Sequence, residues 1–138
     1  MKHIISFILL LNVVIGMSQN KADDIVGYYL TFDPFSKEYS QCYIYKTSKG
    51  TYDGRVCWVS NSAKKNFLNY VFLRDLSFDA ENNEWVDGKV TYAGKTGTYK
   101  TYMKFEDKSK LKVRAYFGVS LLGKTIYWTK EKQKREQK

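Results

Sequence analysis

Two consecutive segments, Thr98–Glu106 and Leu111–Phe117, alternate their side chains with a period of two, and that period decides the fold class. In the first, Tyr99, Thr101, Met103 and Phe105 share one side, while Lys100, Tyr102, Lys104 and Glu106 share the other. In the second, Leu111, Val113, Ala115 and Phe117 oppose Lys112, Arg114 and Tyr116. A strand sends successive side chains to opposite faces, so this pattern describes a sheet with one buried and one wet face.

The rest of the chain repeats the theme in short pieces separated by turn residues. Strands are predicted over Ile25–Phe32, Tyr39–Thr47, Thr51–Val59, Tyr70–Phe78, Glu84–Thr91, Thr98–Glu106, Leu111–Gly118 and Lys124–Lys130. Aromatic residues make up 17% of the chain and there is 1 proline, a bias that suits strands better than helices. Around Ala63–Tyr70 the spacing supports a turn and no more. Eight short strands at regular intervals predict an all-β domain, a small up-and-down antiparallel barrel.

The amino terminus carries one basic residue, Lys2, and an apolar run from Ile4 to Met17. That run is shorter than the roughly 20 residues needed to span a bilayer, and a polar stretch follows it. Residues 1–18 are expected to be a secretory signal removed after Ser18, leaving residues 19–129 as one barrel domain. Residues 130–138 (KEKQKREQK) are expected to be a frayed, solvated basic tail. No later segment is long and apolar enough for a membrane span. An exported protein is therefore expected, periplasmic or secreted.

The formal charge is +9, of which five positive and two negative charges lie in the tail. With Lys2 also set aside, the body retains +5. Lysines alternating along strands account for this charge as an outer solvated face. The tail lacks interleaved aromatics for base stacking, so no nucleic-acid partner is expected. Oligomeric state is left open.

The single histidine is His3, inside the leader. The mature chain is thus excluded from Ser-His-Asp and Cys-His mechanisms, and it lacks the commonest zinc and haem ligand. Asp79, Glu81, Glu84 and Asp107 sit where turns need them, and Asp79–Glu84 lacks the glycine and spacing of a calcium loop. No enzyme activity, metal or cofactor is expected. Three tryptophans, Trp58, Trp85 and Trp128, together with Tyr99, Met103 and Phe105, are the candidate lining of an interior. A barrel of eight strands is wide enough either to be filled by side chains or to hold one small ligand, and both alternatives stand.

Cys42 and Cys57 lie on the two arms of a hairpin about Ser48-Lys49-Gly50. An export route permits a disulfide between them. A two-residue turn would set Cys42 opposite Cys57; a three-residue loop pairing Ile44 with Val56 would set Cys42 opposite Trp58 and part the thiols. The two registers stay open.

The segments IVGYYLTF, DGRVCWV, WVDGKVTYAGKTGTYKTYMKF and LKVRAYFGVSLLGKTIYWT carry a resemblance to a bacterial secreted family of unknown function with a lipocalin-like, calycin-type barrel. The last is the most specific: a strand, the connector Gly118-Val119-Ser120-Leu121-Leu122-Gly123, and a strand bearing Trp128. The resemblance implies an exported binding protein for a small apolar or amphipathic ligand, perhaps with an anionic head, held by Tyr29, Trp58, Tyr99, Met103, Phe105 and Trp128. The alternative is an envelope interaction protein with a filled barrel and a working outer surface. One departure stands out. Lipocalin-like chains open with Gly-x-Trp, whose Trp plugs the base; here Gly27 is followed by Tyr29, and its hydroxyl needs a partner.

Overall fold

The computed structural model describes residues 21–33, 36–91, 97–116 and 124–138. The expected leader, the Gly118–Gly123 connector and Gly94 lie outside the described residues. Eight strands close into one barrel in sequence order, every neighbour antiparallel. They are β1 Gly27–Phe32, β2 Tyr39–Lys46, β3 Tyr52–Val59, β4 Val71–Asp79, β5 Glu84–Val90, β6 Tyr99–Phe105, β7 Lys110–Tyr116 and β8 Lys124–Glu131. Closure comes from β1 meeting β8, with Tyr29 beside Lys130 and Leu30 beside Thr129. Ser62–Phe67 forms a short 3-10 helix between β3 and β4, capped by the Asn61 side chain on the Ala63 N–H at 3.0 Å, so this stretch is more ordered than the expected turn.

The alternation read from the sequence becomes the inside and outside of the barrel. Thr101 and Met103 of β6 and Leu111, Val113 and Ala115 of β7 point inward and are buried, with Met103 paired to Val113. One end, the base, is where β2 turns into β3, β4 into β5 and β6 into β7. Residues 21–26 fill it: a helical turn leads to Ile25, which is fully buried. Trp85 Nε1 donates to the Ala22 carbonyl at 3.0 Å, Tyr52 Oη donates to Asp23 at 2.5 Å, and Lys130 Nζ donates to the Asp24 carbonyl at 2.8 Å. Ile25 and Val26 were expected to begin the first strand. They plug the base instead, because the buried Trp85 and Tyr52 side chains find their hydrogen-bond partners there.

Tyr29 meets the condition its hydroxyl imposed. It is fully buried, and its Oη donates to the Ile25 carbonyl at 2.8 Å. Burial pushes its phenol well above the ordinary tyrosine value. A lipocalin-like base therefore closes here with a tyrosine where tryptophan is usual.

The β4–β5 ladder breaks in its middle. Asp75 and Asp87 both take the left-handed backbone (φ 65° and 61°), between the pairs Arg74–Lys89 and Ser77–Val86. The kink turns Leu76 into the core, where it is fully buried. Gly88 faces it: a Cβ there would stand 2.6 Å from Leu76 Cδ2 and 2.8 Å from Thr101 Cγ2. Glycine is required by the close approach of a neighbour's side chain.

The Cys42–Cys57 hairpin has the three-residue loop and the parted thiols of the second alternative, but Ile44 pairs with Gly54 and not with Val56. Thr47 and Thr51 close a three-residue loop, with Gly50 at φ 84°, and Ile44 pairs with Gly54 and Cys42 with Val56. Beyond them Gln41 pairs with Trp58, so Cys57 is the extra residue of a bulge. Both cysteines are free and buried. Cys42 lies in the core, while Cys57 Sγ donates to Gln41 Oε1 at 3.2 Å, on the outer side of the sheet. The sheet itself separates the thiols.

The tail is not frayed. It leaves β8 at the base and runs back over the outside of β2 and β3. Gln41, fully buried beneath it, donates from Nε2 to Glu131 Oε1 and to the Gln133 carbonyl, both at 2.9 Å, and accepts the Arg135 N–H at 2.8 Å. Arg135 forms a two-pronged pair with Glu131 (2.8 and 2.7 Å) and lies 4.9 Å over the Trp58 ring. Gln137 uses its side-chain amide as a strand would use its backbone, meeting Val59 N–H at 2.9 Å and Val59 C=O at 3.1 Å.

Candidate functional site

The interior is solid through most of its height. Trp85 packs between Phe78 and Phe105 (ring centres 5.0 and 5.6 Å away), with Leu76, Met103 and Leu111 buried around it. Among the described residues a polar cleft of about 450 Å³ opens at the base, beside Trp85, Phe105, Asp107 and Lys130, and an apolar recess opens towards the other end, the mouth. There Thr31, Phe32, Asp33, Ser40, Val56, Tyr70, Phe72, Thr91, Ile126 and Trp128 enclose a pocket of about 70 Å³. An apolar cavity of about 150 Å³ admits benzene, so this one has room for about three or four carbon atoms.

Of the six ligand-binding residues expected from the sequence, one lines this pocket: Trp128, buried at 3% exposure, its ring 6.0 Å from Phe72 and 6.4 Å from Tyr29. Its Nε1–H is sealed from solvent and has no acceptor among the described residues. Tyr29 belongs to the base. Met103 is locked in the core and Phe105 packs on Trp85 at the base. Tyr99 is half-buried beside Val90, outside the pocket wall. Trp58 sits outside the barrel beneath the tail, because the bulge at Cys57 shifts its register by one and sends it to the opposite face from Val56.

The wall residues that were missed divide into two kinds. Thr31 and Ile126 follow from alternation, two positions from Tyr29 and Trp128 on the same strand faces. Val56 and Phe72 could not be read, since both adjoin register shifts in β3 and β4.

The pocket has an apolar floor and a polar edge. Val56, Phe72, Ile126 and Trp128 form the floor. At the edge, Thr31 Oγ1 donates to the Ser40 carbonyl at 3.0 Å and lies 2.8 Å from Ser40 Oγ. The Asp33 carboxylate is the one charged group in the wall among the described residues, and it accepts the Ser36 N–H at 3.4 Å. No lysine or arginine lines the pocket among those residues, despite the basic character of the body. A larger groove, about 1050 Å³, lies outside the barrel between Trp58, Ser62 and the tail, walled mostly by polar and charged side chains. Among the described residues no cluster of three or more His, Cys, Asp or Glu is placed to hold a metal ion. No helix among them is long and apolar enough to cross a membrane.

An eight-stranded, closed, up-and-down barrel with a plugged base and a pocket at the mouth is a lipocalin-like architecture. A Helicobacter pylori protein, HP1028, described as belonging to the lipocalin family, superposes with a TM-score of 0.60 over 78% of this chain and 83% of its own, at 17% identity. Residues 27–130 match the family described as "Uncharacterized protein conserved in bacteria (DUF2147)", and the chain belongs to that family. No curated protein matches it.

Proposed function

We propose that this protein is an exported, non-enzymatic barrel that binds a small apolar or amphipathic molecule at its mouth. The observation that carries this reading is the pocket itself: among the described residues the middle of the barrel is packed, and an apolar recess is left at the mouth where Phe72, Ile126 and Trp128 meet. A core selected for stability alone would be filled there, since voids forfeit packing contacts. The fold and the absence of histidine after His3 support a binding role over a catalytic one.

Bromoethane, an apolar heavy-atom quencher within the pocket's capacity of about three or four carbon atoms, tests it. Saturable quenching of tryptophan emission, retained in Trp58→Phe and lost in Trp128→Phe, is expected. Quenching that rises linearly without saturation would mean collision alone and would end the reading.

A second reading rests on a separate observation. On the outer face of β1–β3, Tyr28, Tyr43 and Tyr45 form a ladder (ring centres 4.8 and 6.1 Å apart), with the Arg55 guanidinium 5.2 and 5.1 Å over the last two. Such a face suits an interaction protein of the envelope. It predicts association with an acidic polymer that is salt-sensitive and falls when Tyr43 and Tyr45 are replaced together by Ser, with the mouth unaffected.

A further inference from the structure

The mouth pocket does not end at its own rim. Beside it lies a second recess of about 190 Å³, to which the 3-10 helix contributes Lys64 and Phe67. Asp33, Ser40 and Val56 belong to both. Ser40 and Val56 are inward-facing positions of neighbouring strands: Ser40 lies two residues from the core residue Cys42, and Cys42 pairs with Val56. Val59, which pairs with Ser40, is the next inward position towards the rim, since the bulge at Cys57 takes up one residue between them. The shared residues are therefore a stretch of one inner wall, not a partition across the lumen.

Along that wall the apolar surface continues. Val56, Val59 and Phe67 carry the floor of Phe72, Ile126 and Trp128 outwards. The charges of the second recess sit where water reaches. Glu38 Oε2 meets Lys64 Nζ at 3.1 Å, and the two side chains are 33% and 38% exposed. Glu38 Oε1 also accepts from Asn61 Nδ2 at 3.3 Å, which ties the start of β2 to the helix cap. The hydroxyls of Ser36, Tyr39 and Ser40 in the same recess can each donate or accept, so an uncharged polar head finds partners of either kind.

We infer that the two recesses form one site for a linear aliphatic amphiphile of about eight to ten carbons, its tail end against Trp128 and its head beside the Glu38–Lys64 pair. This deepens the binding reading above and rests on it. A cavity of about 150 Å³ admits the six carbons of benzene, so recesses of about 70 and 190 Å³ hold about three and seven. A chain that stopped at the first recess would leave Val59 and Phe67 uncovered.

The straight-chain alcohols from 1-butanol to 1-dodecanol, titrated against tryptophan emission, test the length. A methylene tightens binding about fourfold when fully buried and about twofold when half-buried. Affinity should therefore rise about two- to fourfold per methylene as far as octanol or decanol, then level off. Phe67→Ser should reduce the octanol-to-butanol affinity ratio from about 15-fold or more to about threefold or less. Intermolecular NOEs on the wild type read the placement without any variant. The terminal methyl of octanol should contact the Trp128 ring, and its carbinol protons the Phe67 ring. If neither butanol nor bromoethane binds, the binding reading itself fails. If butanol binds and octanol binds no tighter, the reading stands and the extended site is overturned. A gain that continues undiminished to dodecanol, an unchanged ratio in folded Phe67→Ser, or carbinol protons with no contact to Phe67 overturns it equally.

Discussion

Replacing Gln41 by Leu tests the basic tail directly. Gln41 is wholly buried and spends its amide on the tail: Nε2 on Glu131 and on the Gln133 carbonyl, Oε1 on the Arg135 N–H. A neutral hydrogen bond contributes about 0.5–1.5 kcal/mol net, and one to a charged group about 1.5–3. Losing the three removes about 3 kcal/mol or more. Against this, holding each residue from Lys132 onward costs about 1–2 kcal/mol of backbone entropy, so the docked tail is only marginally favoured. The remaining contacts of Arg135 with Glu131 and Trp58 are partly exposed and worth little each. A loss of about 3 kcal/mol shifts the docked-to-free ratio about a hundredfold. The effect on global melting is capped, because once the tail is free it costs nothing more. Trypsin reads the difference, since Lys132, Lys134 and Arg135 are its sites. The wild type should be cut slowly at these positions and Gln41→Leu as fast as a free peptide of residues 130–138, with the barrel intact in both. Equal rates in wild type and variant, or a wild type already cut at the free-peptide rate, would refute the docking argument.

Three other outcomes are expected. Gly88→Ala should destabilise the barrel by about 1–3 kcal/mol in urea unfolding, because its methyl must displace the buried Leu76 or Thr101. Tyr29→Phe leaves the buried Ile25 carbonyl without its donor and should cost about 1–3 kcal/mol by the same measurement, with amide exchange fastest in residues 21–26. Glu131 is held below its ordinary pKa of 4.5 chiefly by Arg135, and also by Gln41. A depressed carboxyl stabilises fully above its unfolded value and loses that contribution as pH falls through the folded one. The tail should therefore release below about pH 4.5, and the Trp58 indole resonance should move to its position in Gln41→Leu.

Strand positions were readable because period-two alternation survives wherever a strand pairs without interruption. The predicted Tyr39–Thr47 and Lys124–Lys130 fall within one residue of β2 and β8 at each end. Legibility failed where backbone irregularity intervenes. One extra residue at Cys57 turned Trp58 outward and parted the thiols, and no composition signal marks such a bulge. The tail was misread for another reason. KEKQKREQK has the composition of a solvated end, and its docking depends on Gln41, far away in sequence and set on an outer face where a buried amide is not expected. Met103 and Phe105 were rightly placed inside, yet inside proved to be mostly core, since alternation tells which face is buried and not whether anything is left empty.

The plug at the base gives the molecule a direction. Lys21, the first described residue, lies at the base, while the docked tail carries the last residues up the outer wall to Val59, beside the mouth. Tethered by its front, the barrel would stand upright with its opening facing away from the point of attachment. Fused at its rear, it would carry the added partner at the lip, where a guest has to pass.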